Sequence, residues 1–244
     1  MKIILLAIAV ITLSTSANFS SKDVLKKMHD RYTGKWYKTF SFVQTTENYR
    51  HDSLIRTSTW YEAIVFPDKF RMDFGDLKNG NAMINNKDSA YAFRNNKLIR
   101  TSVNDEELTF LLGGMYFYPL DTTLNRLPRS GYDLSKFHED TWQGKPVYVI
   151  GADNNAEKTS QLWIDREKLI LLRFINFKDN RKEEGVFENH KQLGGGWSET
   201  KCTFYFDDKL VQKEYYKECK VNEPVDPAVF SPTQFGKVHW YKGN

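Results

Sequence analysis

STWYEAIVFPDKFRMDFG, residues 58–75, is the stretch of sequence that decides the fold. Side chains alternate between the two faces of a strand, so its large apolar residues at even positions share one face. These are Trp60, Ile64, Phe66, Phe70, Met72 and Phe74. Pro67 and Asp68 interrupt the run and predict a turn between two strands, because proline cannot donate to a ladder. The odd-numbered face carries Thr59, Tyr61, Val65, Arg71 and Asp73. The pattern predicts a sheet with one solvent-exposed face and one broad, aromatic-rich face.

Most of the remaining chain has the same alternating pattern, divided by short polar turns. Strands are predicted at 36–49, 53–66, 70–74, 82–85, 90–94, 98–101, 132–142, 146–151, 160–165, 169–177, 183–191, 198–206 and 210–221. No linker or internal repeat divides these segments, so we expect one domain over residues 18–244. The fold class that follows is mostly β.

Two segments depart from the β pattern. Residues 20–32 predict a helix, with Ser20 or Ser21 as its cap and an apolar stripe that continues to Tyr32. Residues 104–128 predict a short helix followed by an irregular loop with two prolines, laid over a mouth of the sheet. The apolar positions of this second helix are Leu108, Leu111, Leu112 and Met115. An ordinary satellite cluster of the core explains this segment equally well.

The N-terminal residues have the form of a secretory signal peptide. Lys2 precedes an apolar run, and small residues lead to a predicted cleavage site after Ala17. The run is too short to span a membrane. The first cysteine is Cys202, so no lipid-anchored N-terminus is expected. We therefore expect an exported, soluble, periplasmic protein without a lipid anchor.

The charged residues are interspersed and contain no basic block. The net charge is +4, and nucleic-acid binding has little support from this distribution.

Cys202 and Cys219 lie on two strands of a predicted hairpin that turns at Asp207 and Asp208. In that register Cys202 sits opposite about residue 213, too far from Cys219 for a bond, so two free thiols are favoured. A slipped register would reverse this expectation.

Catalytic and metal-binding motifs are not found in the sequence. His138 and Asp140 are the one pair in a polar cluster that would share a strand face, and a solvated strand explains them as well. Glu62 and Arg71 would place charge near a ligand, or would be surface residues. We expect no enzyme, no cofactor and no metal.

Aromatic residues make up 15% of the chain, more than a β-sandwich core requires. A large, Phe-rich core is one explanation. The other is an open or half-closed sheet whose concave side binds an apolar ligand.

Several motifs, taken in order, resemble a known family. A signal peptide and a short amphipathic helix precede the strand residues Phe40, Phe42 and Gln44. The Trp60 strand then runs into a Pro67 turn, followed by QLWIDREKLILLRF at 161–174 and VDPAVFSP at 225–232. This order resembles the periplasmic outer-membrane lipoprotein carrier (LolA-like) family over most of residues 20–235.

The resemblance implies an antiparallel half-barrel, an open and strongly curved sheet with short helices covering its concave face. It implies a carrier that holds the acyl chains of lipoproteins in an apolar cavity and passes them to the outer membrane. Acylated lipoprotein or lipid would be the cargo, inner- and outer-membrane transport proteins would be transient partners, and the carrier would be a monomer. Family members place an arginine before the strand-ending proline to hold the lid shut, and here that position is Phe66.

The sequence thus predicts a set of ligand-binding residues on the sheet and the covering helix. The set is Phe40, Phe42, Trp60, Ile64, Phe66, Phe70, Met72, Phe74, Leu108, Leu111, Leu112 and Met115. Two other functions stay open. A sensor module of the same fold would bind a regulatory protein without transport, and a hydrolase would use His138 and Asp140.

Overall fold

The structure is a computed structural model that describes residues 19–155 and 158–243. The predicted signal peptide lies outside the described residues. The strands are β1 (Thr39–Arg50), β2 (Ser53–Val65), β3 (Lys69–Phe74), β4 (Ala82–Asn86), β5 (Ser89–Arg94), β6 (Lys97–Val103), β7 (Phe137–Trp142), β8 (Lys145–Ile150), β9 (Gln161–Asp165), β10 (Leu171–Lys178), β11 (Arg181–Glu188), β12 (Lys191–Leu193), β13 (Gly196–Ser198), β14 (Lys201–Phe206) and β15 (Lys209–Val221).

One large antiparallel sheet contains 13 strands of the described chain, in the order β6-β5-β4-β3-β2-β1-β15-β14-β11-β10-β9-β8-β7. β12 and β13 form a separate ribbon. The sheet is open, because β6 and β7 lie at opposite edges. The predicted mostly-β, curved and open sheet is confirmed. In this sheet β1 pairs with β15, so strands from the two ends of the chain lie side by side. On either side of this pair, neighbouring strands occur in the order of the sequence or its reverse.

Three α-helices lie in the described residues, namely α1 (Ser21–Tyr32), α2 (Leu108–Leu111) and α3 (Leu120–Arg129). A 3-10 helix, Gly114–Phe117, joins the last two. The loop predicted for the region of α3 is wrong. Pro119 caps this helix and Pro128 lies in its last turn. Proline at a helix start costs little, so the two prolines bound the helix instead of preventing it. No helix in the described part of the chain is long and apolar enough to cross a membrane.

The sheet face that carries the odd-numbered residues of 58–75 is covered, although the sequence predicts that it is exposed to solvent. Ala63, Ile84 and Phe93 on this face are buried beneath Val229 and Phe230 of the C-terminal segment. This segment, residues 223–243, contains a 3-10 helix at Pro227–Phe230 that packs on β3 and β4. The prediction failed because the covering residues lie far away in the sequence.

Arg71 lies at the centre of this second core and is only 2% exposed, so the surface interpretation of this residue is wrong. Its guanidinium donates to both carboxylate oxygens of Asp73, at 2.8 and 2.9 Å. It also donates to the carbonyl oxygens of Val229 and Val238, both at 3.0 Å. The ring of Phe235 stacks beside it, 4.9 Å from the guanidinium carbon. Arg71 therefore fastens the C-terminal segment to the convex face of the sheet.

Both cysteines are free thiols, and Cys202 pairs with Glu214 in the β14–β15 ladder. This register differs by one residue from the predicted one. Cys202 is buried, and Cys219 is half-buried farther along β15.

Candidate ligand-binding site

An apolar cavity of about 210 Å³ lies on the concave face of the sheet. Strands from both halves of the chain form its wall, and the α2 segment forms its cover. The lining residues are Tyr37, Phe40, Phe42, Glu62, Ile64, Phe66, Phe70, Met72, Met83, Glu106, Leu108, Thr109, Leu112, Phe187, Glu199, Phe204, Glu214 and Tyr216. The cavity is smaller than the roughly 300–1,000 Å³ typical of sites that enclose a drug-sized ligand. A ligand of that size would need more room than the cavity has in this structure.

Strand register explains why these side chains meet. Phe42 of β1 pairs with Glu62 of β2, and Glu62 pairs in turn with Met72 of β3. One ladder step away, Ile64 pairs with both Phe40 and Phe70. Directly paired residues of adjacent strands point to the same face of a sheet. The even-numbered positions of three strands consequently form one continuous surface.

The structure brings most of the predicted site residues together around the cavity. These are Phe40, Phe42, Ile64, Phe66, Phe70, Met72, Leu108 and Leu112. Trp60 and Phe74 lie on the same face beyond the cavity and pack on each other, with ring centroids 4.8 Å apart. Leu111 and Met115 are buried in the main core and do not line the cavity. Whether the lining residues bind a ligand stays a prediction.

Sequence analysis missed the lining residues of the C-terminal half. Phe204 and Tyr216 lie on the hairpin that places β15 beside β1, and Gln44 pairs with Tyr216 in that ladder. Their alternation was visible in the sequence. Their position beside Phe42 was not, because nothing local indicates which strand pairs with β1.

Residues 104–118, which we call the lid, cover the cavity. Asn104 fixes the start of the lid through its side chain, which donates to the Lys87 carbonyl oxygen at 2.8 Å. The Glu106 carboxylate accepts the backbone N–H of Thr109 at 3.1 Å. Leu108 and Leu112 of the lid are half-buried over the cavity. The predicted cover over a mouth of the sheet matches this arrangement.

The far end of the lid is tightly anchored through Tyr116, which is only 3% exposed. Its ring lies 4.9 Å from Trp36 and 5.1 Å from Tyr32, centroid to centroid. Gly113 has a φ of +150°, and a Cβ there would lie 2.3 Å from the Trp36 indole nitrogen. This glycine is required for the close approach. The lid is therefore fixed at its C-terminal end, and the half-buried side chains of Leu108 and Leu112 cover the cavity.

Phe66, the residue before Pro67, contacts the lid directly. Its ring stacks on Phe117 of the lid with centroids 5.6 Å apart and planes 5° apart. Aromatic stacking of this kind contributes about 0.5–1.5 kcal/mol beyond the area buried. An apolar contact therefore holds the lid at this point.

Removing this stack should loosen the lid without changing the cavity wall, because Phe117 does not line the cavity. We expect Phe117→Ala to raise amide hydrogen exchange across residues 108–117 by roughly tenfold, from the loss of about 1–2 kcal/mol of local stability. The measurement is hydrogen exchange followed by mass spectrometry. Leu120→Ala, a half-buried residue beyond the stack, is the matched control. Equal exchange in both variants would contradict a closing role for the stack.

Four carboxyl groups line this otherwise apolar cavity, namely Glu62, Glu106, Glu199 and Glu214. Burial raises the pKa of Glu62 well above its ordinary value, and the charges of Glu214, Glu106 and Glu199 raise it further. Burial raises the pKa of Glu199 to about 8. Burial also raises the pKa of Glu214 and of Glu106, against hydrogen bonds that lower both. The cavity therefore favours protonated, uncharged carboxyl groups when it is empty.

The polar pair considered for catalysis lies elsewhere on the surface of the sheet. Asn155 bridges His138 and Asp140, with its side-chain oxygen 2.9 Å from the imidazole and its nitrogen donating to the carboxylate. The second imidazole nitrogen lies 2.8 Å from the Ala152 carbonyl oxygen. The imidazole and the carboxylate are therefore held within a local hydrogen-bond network. Among the described residues, no three His, Cys, Asp or Glu side chains are placed to hold a metal ion.

Solved structures with the same architecture exist despite very low sequence identity. A putative outer membrane lipoprotein-sorting protein domain from Vibrio parahaemolyticus aligns over 88% of this chain and 97% of its own, with 12% identity and a TM-score of 0.58. A LolA superfamily protein from Nitrosomonas europaea aligns over 88% and 98%, with 10% identity and a TM-score of 0.55. The chain has a LolA-like fold.

A third structure extends the same likeness. A DUF1329 family protein from Desulfovibrio piger aligns with this LolA-like chain over 88% of it and 97% of its own length, at 12% identity and a TM-score of 0.59. No protein-family model matches the sequence, and no curated protein matches it either. The likeness is therefore one of fold, and the resemblance seen in the sequence motifs is confirmed at that level.

Proposed function

We propose that this LolA-like protein is a periplasmic carrier that binds the acyl chains of lipoproteins or other lipids and delivers them to the outer membrane. The observation that supports the proposal best is the apolar cavity on the concave face, which a short lid covers with Leu108 and Leu112. Phenylalanine and methionine side chains dominate its wall, and methionine adapts to irregular apolar ligands. The lipoprotein-sorting name of one structural neighbour agrees with this use of the fold.

The size of the cavity sets the mechanism. A cavity of about 150 Å³ in another protein holds one benzene molecule, and the one here measures about 210 Å³. A long acyl chain needs more room than that, so binding requires displacement of the lid. Cargo would shift the population from the closed state to an open one in which Leu108 and Leu112 move off the sheet.

Energetics favours partial burial of the cargo. Each buried CH₂ contributes about 0.8 kcal/mol, so a fully enclosed long chain gains on the order of 10 kcal/mol before entropy costs. Several chains together would exceed the limit near 18–21 kcal/mol at which non-covalent affinity saturates. A carrier must release its cargo. Displacing the packed lid offsets part of the gain and keeps the exchange reversible.

Filling the cavity should abolish binding of an acyl ligand. We expect Met72→Trp to weaken the affinity for a fluorescent long-chain acyl probe by at least roughly tenfold, a loss of about 1.4 kcal/mol. Fluorescence titration measures this loss. Phe74→Trp is the matched control, since Phe74 is the next residue on the same face of β3 but lies outside the cavity. If both variants bind the probe as the native protein does, the cavity is not the acyl site.

The native cargo is identified directly. The protein is purified from the cell envelope without detergent, extracted with organic solvent, and analysed by mass spectrometry together with its copurifying proteins. We expect acyl chains or several lipoproteins in the extract. Recovery of one signalling protein without lipid would favour the sensor module instead.

A further inference from the structure

Glu62 differs from the other carboxyl groups of the cavity because no described residue forms a hydrogen bond or ion pair with its side chain. Its side chain lines the cavity and is only 6% exposed. Within residues 19–155 and 158–243, its carboxyl group has no hydrogen-bond or ion-pair partner. Buried polar groups are normally satisfied, and a buried charge is normally paired. An unpaired carboxyl group directed into a ligand cavity indicates that the ligand supplies the partner.

The neighbouring carboxyl groups are partly satisfied by the protein. Glu214 accepts hydrogen bonds from the Gln212 amide and the Tyr216 hydroxyl, the latter at 3.1 Å. Glu106 accepts the backbone N–H of Thr109. Glu199 is 7% exposed and interacts with its own backbone N–H. The unsatisfied hydrogen-bonding capacity at this end of the cavity is therefore that of carboxyl groups, centred on Glu62 and Glu199.

The protein itself provides no cation to neutralise these groups. No Lys, Arg or His is found among the described residues that line the cavity. Elsewhere in the described chain, the buried carboxylates of Asp73 and Glu184 pair with Arg71 and Arg173. Once ionised, the carboxyl cluster would repel an anionic ligand head, whereas an ammonium group would pair with it and donate hydrogen bonds to it.

We infer that the cavity is selective for an amphiphile whose apolar chain lies on the Phe and Met surface and whose ammonium group pairs with Glu62 and Glu199. This inference rests on the proposed carrier function and specifies the chemistry of its cargo. The ammonium group belongs either to the head of an aminolipid or to a free amine on an acylated peptide. Phe42 and Ile64, beside Glu62 in the β1–β2 ladder, lead the chain away from the carboxyl cluster.

Matched single-chain probes test the selectivity. Dodecylammonium, dodecanol and dodecanoate share one tail and differ only in the head, and each is titrated below its micellar concentration by calorimetry or probe displacement. We expect dodecylammonium to bind roughly tenfold more tightly than dodecanol, and dodecanoate to bind most weakly. In Glu62→Gln the preference for dodecylammonium over dodecanol should fall to about twofold or less.

Two further variants complete the test. Glu199→Gln should reduce the same preference independently, so the result does not depend on one variant. Glu167→Gln removes an equal charge from an exposed position and should leave the preference unchanged.

The dependence on pH provides a second readout. The groups that face Glu62 are Glu214, Tyr216, Glu199, Glu106 and Cys202, and every one of them is neutral or negative. An ammonium ligand would pair with ionised carboxyl groups and would displace their protons. We expect the affinity for dodecylammonium to rise between about pH 6 and pH 8.5, where the ligand stays charged, while that for dodecanol stays level.

The outcomes separate this inference from the carrier function. Binding of all three probes with equal affinity, or a preference that persists in Glu62→Gln, would overturn the ammonium inference and leave the carrier proposal standing. Failure of every probe to bind would overturn both. Preferred binding of dodecanoate would show that the carboxyl groups do not select the head of the ligand.

Discussion

Arg71→Ala should lower the free energy of unfolding by about 3–5 kcal/mol, because it leaves a buried carboxylate without its partner. Asp73 is nearly as buried as Arg71 and retains only His239, whose Nε2 lies 3.0 Å from the carboxylate. The substitution also removes the hydrogen bonds that hold the carbonyl groups of Val229 and Val238. Urea unfolding measures the loss, and limited proteolysis should show earlier cleavage within residues 223–243.

An exposed arginine provides the control for Arg71. Arg181 pairs with Asp207 through a side chain that is 59% exposed, so Arg181→Ala should cost less than about 1 kcal/mol. Replacing both buried partners, Arg71→Met with Asp73→Leu, should recover most of the lost stability, since neither charge is then buried. A loss below about 1 kcal/mol for Arg71→Ala would show that the C-terminal segment is held by other contacts.

Raising the pH from about 7 to 8.5 should destabilise the ligand-free protein, by on the order of 1 kcal/mol through Glu199 alone and further through Glu62. Burial raises the pKa of Glu199 to about 8 and the pKa of Glu62 well above its ordinary value of 4.5. The unfolded chain has already lost these protons at neutral pH, whereas the folded chain keeps them. The folded state binds more protons than the unfolded state. The stability that Glu62 and Glu199 contribute is therefore complete below about pH 4.5 and is lost as the pH rises through their pKa values in the folded state.

The pH range is chosen to isolate the carboxyl groups. Burial lowers the pKa of His29, and it lowers the pKa of His190 to about 4. These histidines change stability in the opposite direction, but only below about pH 6.5, where an unfolded histidine gains its proton. The cysteines of the unfolded chain, with an ordinary pKa of about 8.5, begin to ionise at the top of this range, and burial raises the pKa of both in the folded state. They add a smaller loss of stability of the same sign, so single carboxyl replacements are needed to separate the two contributions.

Single carboxyl replacements test this assignment by thermal or urea unfolding at several pH values. Glu199→Gln should remove about 1 kcal/mol of the fall in stability, and Glu62→Gln should also make the fall smaller. Glu167→Gln, which lies on the surface, should leave the slope unchanged. A native protein whose stability is constant from about pH 7 to 8.5 would mean that these carboxyl groups are ionised and solvated.

The sequence predicted nearly all the strands, because alternation and turn residues are local signals. The stretch at 58–75 folds as β2 and β3, with Ile64 paired to Phe70 across the Pro67 turn as its pattern indicates. The sequence predicted a cover over residues 104–128, with an ordinary satellite cluster of the core as an equal alternative, and the structure places residues 104–118 over the cavity. The apolar residues predicted to share one face of this stretch line the cavity, except Trp60 and Phe74, which lie beyond the end of the cavity.

Sequence alone determined the β class, the strand positions and the apolar face of this protein, because each depends on residues close together in the chain. Tertiary structure decided the pairing of β15 with β1, the C-terminal segment over Arg71, and the carboxyl groups that meet around Glu62. The local sequence does not show which distant residues come into contact in the fold. Those tertiary contacts decide whether a glutamate side chain lies in water or in an apolar cavity, and the ligand chemistry that we infer depends on them.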